Sequence, residues 1–304
     1  MDFKTLDKIP DLGVEFRKIV ADKLPGVGVK RVADKDPATG VEVNGVTVDP
    51  RHLAAYNQAV GLRTGSELPV TYPFVLSFPL VMRVMRSGDF PYSPMGAVHI
   101  SNQIEQTRAL RLGEEFKLRV HARNVREHRR GLLVDLVTEV IVGAETVWAQ
   151  TSTFLGMGAR LDSAAPQEIK DRGQERGTCL PAAGEEPDVA QTALWRVTAE
   201  DIKQYAEASG DKNPVHVSGI GARAFGFPNV IAHGMWTAAR MLAPLEGRIG
   251  GALRYTVDFA KPVVLPARVA FWARRDPDGG AWKLEVRKAK KPESVHAVAE
   301  VVEL

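Results

Sequence analysis

The sequence predicts an α+β chain in which one plan, a central apolar helix with antiparallel strands around it, is used twice. Three observations carry this. Residues 48–61 line up with 197–210, Tyr56 falling opposite Tyr205 and Gly61 opposite Gly210. Residues 72–79 lie opposite 227–234, and each piece runs into an apolar segment of helical character, 80–85 in one half and 235–245 in the other. Three strand-like runs then close each half, so the repeat spans the whole plan rather than one motif.

Taken in order, residues 14–24 read as an amphipathic helix and 34–39 as a turn. The helix after residue 48 opens with Asp49 at the N-cap and Pro50 at N1, and its repeat opens with Thr198, with Asp201 three residues on, a near capping box. Gly61 and Gly210 suit the left-handed position that ends a helix. The runs 115–125, 131–142 and 145–154, and their counterparts 268–275, 281–289 and 296–304, alternate β-branched or aromatic residues with Arg, Lys and Glu, as half-buried antiparallel strands do. Between the halves, 160–191 is rich in Ala, Pro, Glu, Asp and Gly without periodicity, a linker that crosses the surface and is in part mobile. The expected domains are an N-terminal extension (1–44), a first repeat (45–159), the linker (160–192) and a second repeat (193–304).

Composition narrows the function classes. The chain has 304 residues, enough for two ordinary domains, and 40 basic against 37 acidic residues, a balance unlike that of a nucleic-acid binder. Its single cysteine, Cys179, excludes a disulfide framework and a cysteine metal cluster, so no metal and no cofactor are expected. No apolar run approaches the roughly 20 residues of a membrane span. The N-terminus lacks the form of a secretory signal, so a cytoplasmic location is expected.

The chemistry is concentrated in the stretch Ser209-Gly210-Asp211-Lys212-Asn213-Pro214-Val215-His216 and in Ala232-His233-Gly234-Met235. Asp211 and His216 sit five residues apart across a turn stiffened by Asn213-Pro214, so both can address one water. Gly234, at the start of an apolar helix, can offer its N–H to a developing oxyanion. Asp-x-Asn-Pro alone is an Asx turn, and an isolated histidine is an ordinary packed or solvent-facing one. The combination is what marks a reaction centre. Asn213 reads as a turn-maker supporting the pair, and His233 either packs at the helix entrance or touches ligand. In the first repeat Leu62, Glu67 and Pro79 stand opposite Asp211, His216 and Gly234, which leaves that copy without the acid–base pair and, at Pro79, without an N–H to donate.

The turn G-D-x-N-P-x-H and the A-H-G-M element together resemble the MaoC-like (R)-specific enoyl-thioester hydratases and 3-hydroxyacyl-thioester dehydratases. Residues 68–74, 126–135 and 224–235 are similar to the actinobacterial two-domain dehydratases of that family, a likeness that runs from about residue 45 to the end. The resemblance implies a double hot dog fold, a degenerate non-catalytic first repeat and a catalytic second one. It implies reversible hydration of trans-2-enoyl thioesters in fatty-acid metabolism, with Asp211 and His216 holding the water and the Gly234 amide as oxyanion donor.

Two rival readings keep the fold. One is a hot dog acyl-thioesterase and the other a non-catalytic acyl-thioester-binding or scaffolding subunit. The G-D-x-N-P-x-H turn argues against the first, and its retention in one half argues against the second. Two basic clusters read as solvated hairpins, Arg123, Arg126, Arg129 and Arg130 in one and Lys288, Lys290 and Lys291 in the other. The second is the better candidate to meet the phosphates of coenzyme A or an acidic acyl carrier protein. Met235, Trp236, Met241 and Trp272 read as core, some of them able to line an acyl tunnel. The carrier, the chain length and the choice between a monomer of two repeats and a homodimer stay open.

Overall fold

The computed structural model describes residues 2–21, 32–173, 178–182, 185, 187–277 and 279–304. In chain order the elements are β1 (Phe3–Leu6), α1 (Leu12–Ala21), β2 (Val32–Ala33), β3 (Gly40–Val46), α2 (Pro50–Val60), α3 (Tyr72–Met85), β4 (Ala97–Gln106), β5 (Phe116–His128), β6 (Gly131–Val142), β7 (Glu145–Met157), β8 (Arg160–Leu161) and α4 (Gln167–Lys170). They continue with β9 (Ala193–Val197), α5 (Ala199–Ser209), α6 (Pro214–Val217), α7 (Gly219–Ala224), α8 (Gly234–Leu242), β10 (Leu253–Phe259), β11 (Ala267–Arg275), β12 (Ala281–Lys288) and β13 (Lys291–Glu303).

Contacts divide the chain into two compact units that do not follow chain order. The first is Met1–Thr47 with Pro73–Asn102 and Gly113–Gly177, and the second is Val48–Tyr72 with Gln103–Leu112 and Thr178–Leu304. A sequence-based boundary near residue 45 cuts by repeat. The contact-defined boundary instead places α2, a helix of the first repeat, in the unit that holds the candidate site, because α2 packs along α5.

In the first unit the strands run in the order β1-β3-β5-β6-β7-β4. All the β3, β5, β6 and β7 neighbours pair antiparallel, while β1 adds to β3 in parallel. The stretch before residue 45 is thus partly built into the sheet. α1 is tied in by Glu15, a buried carboxylate that accepts from Arg83 of α3 and from Arg86, the residue just after that helix. α3 is the central helix, with Leu80, Val81, Val84 and Met85 all buried.

It starts at Tyr72, eight residues earlier than the sequence pattern suggests, and so contains Pro79. Pro79 is therefore not the positional counterpart of a helix start. The missing N–H is tolerated because tertiary packing of an apolar helix outweighs a lost hydrogen bond.

Arg126 is also not a solvated hairpin charge. A bulge in β5 turns it inward, where Nη1 lies 3.0 Å from Asp135 Oδ1, and Asn124 and Thr153 bond the same carboxylate. Arg123, Arg129 and Arg130 are exposed as expected.

In the second unit the order is β10-β13-β12-β11-β9, antiparallel throughout. The central helix is α8, whose Met235, Trp236, Ala238, Ala239, Met241 and Leu242 are buried and which rests on β12 and β13. Trp272, on β11, is buried as well. The end of the linker is held to this sheet, with Thr178 and Cys179 donating to the buried Asp258 and Arg287 Nη1 donating to the Glu185 carbonyl. Among the described residues no helix is long and apolar enough to cross a membrane.

Candidate active site

The site begins at the end of α5. Thr198 and Asp201 form the full capping box that starts this helix, worth about 1 kcal/mol for a single cap, and Gly210 ends it in the left-handed conformation at φ 71°. The chain then folds on its own side chains. Ser209 Oγ accepts from the Asp211 N–H at 3.2 Å, Asp211 Oδ1 from the Asn213 N–H at 3.2 Å, and Asn213 Oδ1 from the Val215 N–H at 3.4 Å. Asn213 is thus the N-cap of α6, with Pro214 at N1, and this places His216 in the last turn of a four-residue helix.

A second strip of chain locks this turn. The Ile231 N–H donates to the Val215 carbonyl at 3.1 Å, and His216 Nδ1–H donates back to the Ile231 carbonyl at 2.8 Å. Ala232 N–H in turn reaches the Val263 carbonyl at 2.9 Å, so the strip is anchored on its far side too. A carbonyl can only accept, which puts a proton on His216 Nδ1 and leaves its Nε2 outside this bond.

His233 ends the strip as the N-cap residue of α8, and its side chain makes no capping bond. Its Nε2–H donates instead to the Asp211 carbonyl at 2.9 Å, and its ring stacks on His216 with centroids 3.7 Å apart and planes at 27°. Tyr205 of α5 covers another side at 4.9 Å. The sequence left His233 between packing at the helix entrance and touching ligand, and the structure packs it there against the Asp211 turn and the His216 ring. What singles it out is a contact across 22 residues, for which the sequence has no local signal.

Gly234 is the first residue of α8, where a helix leaves its N–H groups without intrahelical acceptors. A Cβ here would come within 3.2 Å of the Phe259 ring, so a side chain fits only if that ring gives by a few tenths of an ångström. Burial raises the Asp211 carboxyl above the usual carboxylate range, against the opposing pull of His216 and the Asn213 N–H. Burial, together with the charge of His216, holds His233 well below the usual imidazole range despite the bond to the Asp211 carbonyl. The group therefore combines a carboxyl raised by burial, one histidine with its Nδ1–H committed to a carbonyl and one histidine held neutral by burial.

Asp211, His216 and His233 bring three ligand-type atoms within 4.8 Å of one another. The imidazoles face each other as a stack, with one nitrogen of each committed to a carbonyl. A tetrahedral metal site needs lone pairs that converge on one point. The arrangement suits proton transfer better.

Lys288, Lys290 and Lys291 lie at the exposed β12–β13 turn, where Lys291 pairs with Glu293 at 3.5 Å. They are not part of the Asp211–His216–His233 group. Beside that turn His296 Nδ1 donates to the Lys261 carbonyl at 2.9 Å, and burial lowers His296 from the usual imidazole range.

In the first repeat the chain after Gly61 departs from its counterpart. Residues 62–71 contain no helix, and Glu67 forms an isolated bridge with Arg111. The position-by-position match of the repeats ends at the glycine.

A family model described as "MaoC like domain" matches residues 181–295. The 3-hydroxyacyl-thioester dehydratase X of Mycobacterium tuberculosis is 44% identical over 258 residues, which are 85% of this chain and 87% of that protein. Its crystal structure, that of HtdX, superposes with a TM-score of 0.73 at 42% identity, covering 87% of this chain and all of that one. A further M. tuberculosis structure, described as having a double hot dog fold, matches at a TM-score of 0.52 and 14% identity over 87% of this chain and 96% of that one, a likeness of fold alone. With its repeated helix-and-sheet plan and its Asp–His turn laced to the entrance of the central helix, this chain belongs to the MaoC-like 3-hydroxyacyl-thioester dehydratase family, in its double hot dog form.

Proposed function

We propose that the protein is a hydro-lyase that removes water from (R)-3-hydroxyacyl thioesters and, in reverse, adds it to trans-2-enoyl thioesters. The observation that carries this is the locked turn, in which polar atoms of Asp211 and His216 come within 4.8 Å of one another and of His233, the residue just before α8. In hydration, water bonds to the β-carbon and gives up a proton to the pair. The electrons of the double bond move toward the thioester carbonyl, and the α-carbon then takes a proton.

Asp211 and His216 are the groups placed to move these protons. The Gly234 N–H, at the positive end of the α8 dipole, meets the charge that develops on the thioester oxygen. With the carbonyl held on one side and the water on the other, one face of the double bond is open to attack. The exposed Lys288, Lys290 and Lys291 are assigned to the phosphates of the thioester's carrier.

The test is incubation of the purified protein with trans-2-enoyl coenzyme A esters of graded length, following loss of the conjugated absorbance, with chiral analysis of the product. An (R)-3-hydroxyacyl product is expected. An (S) product or an enzymatic racemate overturns the site geometry, and release of free thiol without hydration turns the reading to a thioesterase.

A further inference from the structure

We propose that His233 is a positioning residue for this reaction, a neutral imidazole whose Nε2–H holds the Asp211 backbone and whose face backs His216, so that of the stacked pair only His216 exchanges protons with substrate and water. The inference rests on the hydro-lyase reading for what is positioned, and on geometry for how.

The ring is enclosed, its side chain only 4% exposed. Three groups face it: the Asp211 backbone and carboxyl from the turn, the His216 ring from α6 and the Tyr205 ring from α5. Its Nε2 is committed to a carbonyl at 2.9 Å, while the Asp211 carboxylate oxygen, at 3.7 Å, lies outside hydrogen-bond distance of it. Its Nδ1 is buried and has no hydrogen-bond partner among the described residues. Protonating that nitrogen would place an N–H where nothing accepts it, beside a second imidazole at 3.7 Å. The burial that disfavours charge points the same way.

Two functions follow from the position. Nε2–H anchors the carbonyl at the start of the Asp211 turn, so it sets where the carboxyl sits, and a misplacement of about 1 Å in such a group costs on the order of a hundredfold in rate. The ring face fixes the plane of His216, whose Nδ1 is held from the opposite strip by Ile231. The two histidines therefore have opposite tautomers, Nδ1–H in His216 and Nε2–H in His233, and this is a signature that packing alone does not require.

The test combines spectroscopy with kinetics. Long-range 15N–1H correlation spectra of the 15N-labelled protein read the tautomer of each histidine. His233 is expected to remain in the neutral Nε2–H form from pH 5 to 8 while His216 is Nδ1–H when neutral, and a His233 found protonated on Nδ1 anywhere in that range overturns the proposal. His233→Leu keeps bulk without the donor, whereas His233→Gln keeps an N–H donor. The Leu variant is expected to lose at least about tenfold in kcat with KM within about threefold, and the Gln variant to recover most of that loss. A Leu variant with parental kcat, or equal impairment of both, overturns it. If the parent protein hydrates no enoyl thioester, the hydro-lyase reading fails, and the tautomer measurement still decides the arrangement of the two rings.

Discussion

Two turns in the same unit, one after Gly61 and one after Gly210, begin as near copies and end as opposites. Each follows an eleven-residue helix and each glycine is left-handed, at φ 72° and 71°. After Gly61 the structure closes the free helix end with other side chains. Trp236 Nε1 donates to the Ala59 carbonyl, Arg240 Nη1 to the Val60 carbonyl, and the Glu246 carboxylate accepts from the Arg63 N–H. A cation at a helix C-terminus also suits the dipole.

After Gly210 desolvation raises a half-buried carboxyl above the usual carboxylate range, and the neighbouring His233 Nδ1 and Tyr205 hydroxyl are buried without partners among the described residues. The first turn has been spent on stability. The second accepts an unfavourable set of buried polar groups, which is what chemistry at a carboxyl and an imidazole requires.

The strongest way to break this comparison is at the pair itself. Asp211→Asn and His216→Gln are each expected to lower hydration turnover by at least about a hundredfold with the fold intact, as loss of a general acid–base group does. Asp211→Asn should at the same time leave the protein more stable than the parent at neutral pH, because Asn keeps the turn's acceptor and escapes the cost of burying a charge.

The sign follows from the raised Asp211 value. Between its unfolded and folded values the native state holds a proton that the unfolded state has released, so parental stability falls as pH rises through that window. The advantage of the variant should be absent near pH 3 and grow toward neutrality. Urea denaturation at several pH values measures it, and a variant less stable than the parent at pH 7 would show that the turn is built for stability after all.

Next in size is the helix entrance. Gly234→Ala keeps the N–H but sets a Cβ 3.2 Å from Phe259, so about a tenfold loss of turnover is expected, with partial recovery when Phe259→Leu makes room. An Ala variant with parental kcat/KM would remove the close approach of substrate to this backbone from the mechanism.

A smaller effect separates the two matched tyrosines. Tyr56 Oη–H donates to Thr71 Oγ1 at 2.8 Å, whereas the Tyr205 hydroxyl has no partner among the described residues. Tyr56→Phe should therefore cost about 1 kcal/mol of stability and Tyr205→Phe close to nothing. Equal losses in denaturant titrations would mean that the second turn is as well satisfied as the first.

The contrast also shows what a sequence can reveal. The paired helices α2 and α5, their caps, both glycines and the six long strands are local patterns, and the repeat made each visible twice. β4 and β10 were missed because neither alternates cleanly. β4 carries polar residues such as Asn102 and Gln106 on its buried face, and β10 is buried along nearly its whole length. The start of α3 was hidden because Pro73 and Pro79 bracket its first turns, ahead of the apolar run at 80–85.

At the site, the Asp211–Asn213–His216 turn was legible because each residue acts on neighbours two or three positions away. The bonds from His233 to Asp211 and from His216 to Ile231 join chain segments that only the fold brings together. So does the ion pair that draws Arg126 inside.

The last prediction concerns the residue that stands where an acid–base group would be if the first repeat were active. Glu67 occupies the place of His216 by counting along the repeats, with Leu62 in the place of Asp211. In the structure its side chain is 59% exposed and sits 3.7 Å from an Arg111 that is itself 68% exposed, and the chain there is extended rather than wound into a helical turn. An exposed pair of this kind contributes little, because water and salt screen it and two long side chains must be ordered to make it. Nothing in that setting restricts a proton or favours one tautomer of a neighbour, so Glu67→Gln should leave kcat and kcat/KM within about twofold of the parent across the pH range of activity. A loss as deep as that of the His216 variant would place chemistry in both repeats and erase the division of labour between the two turns.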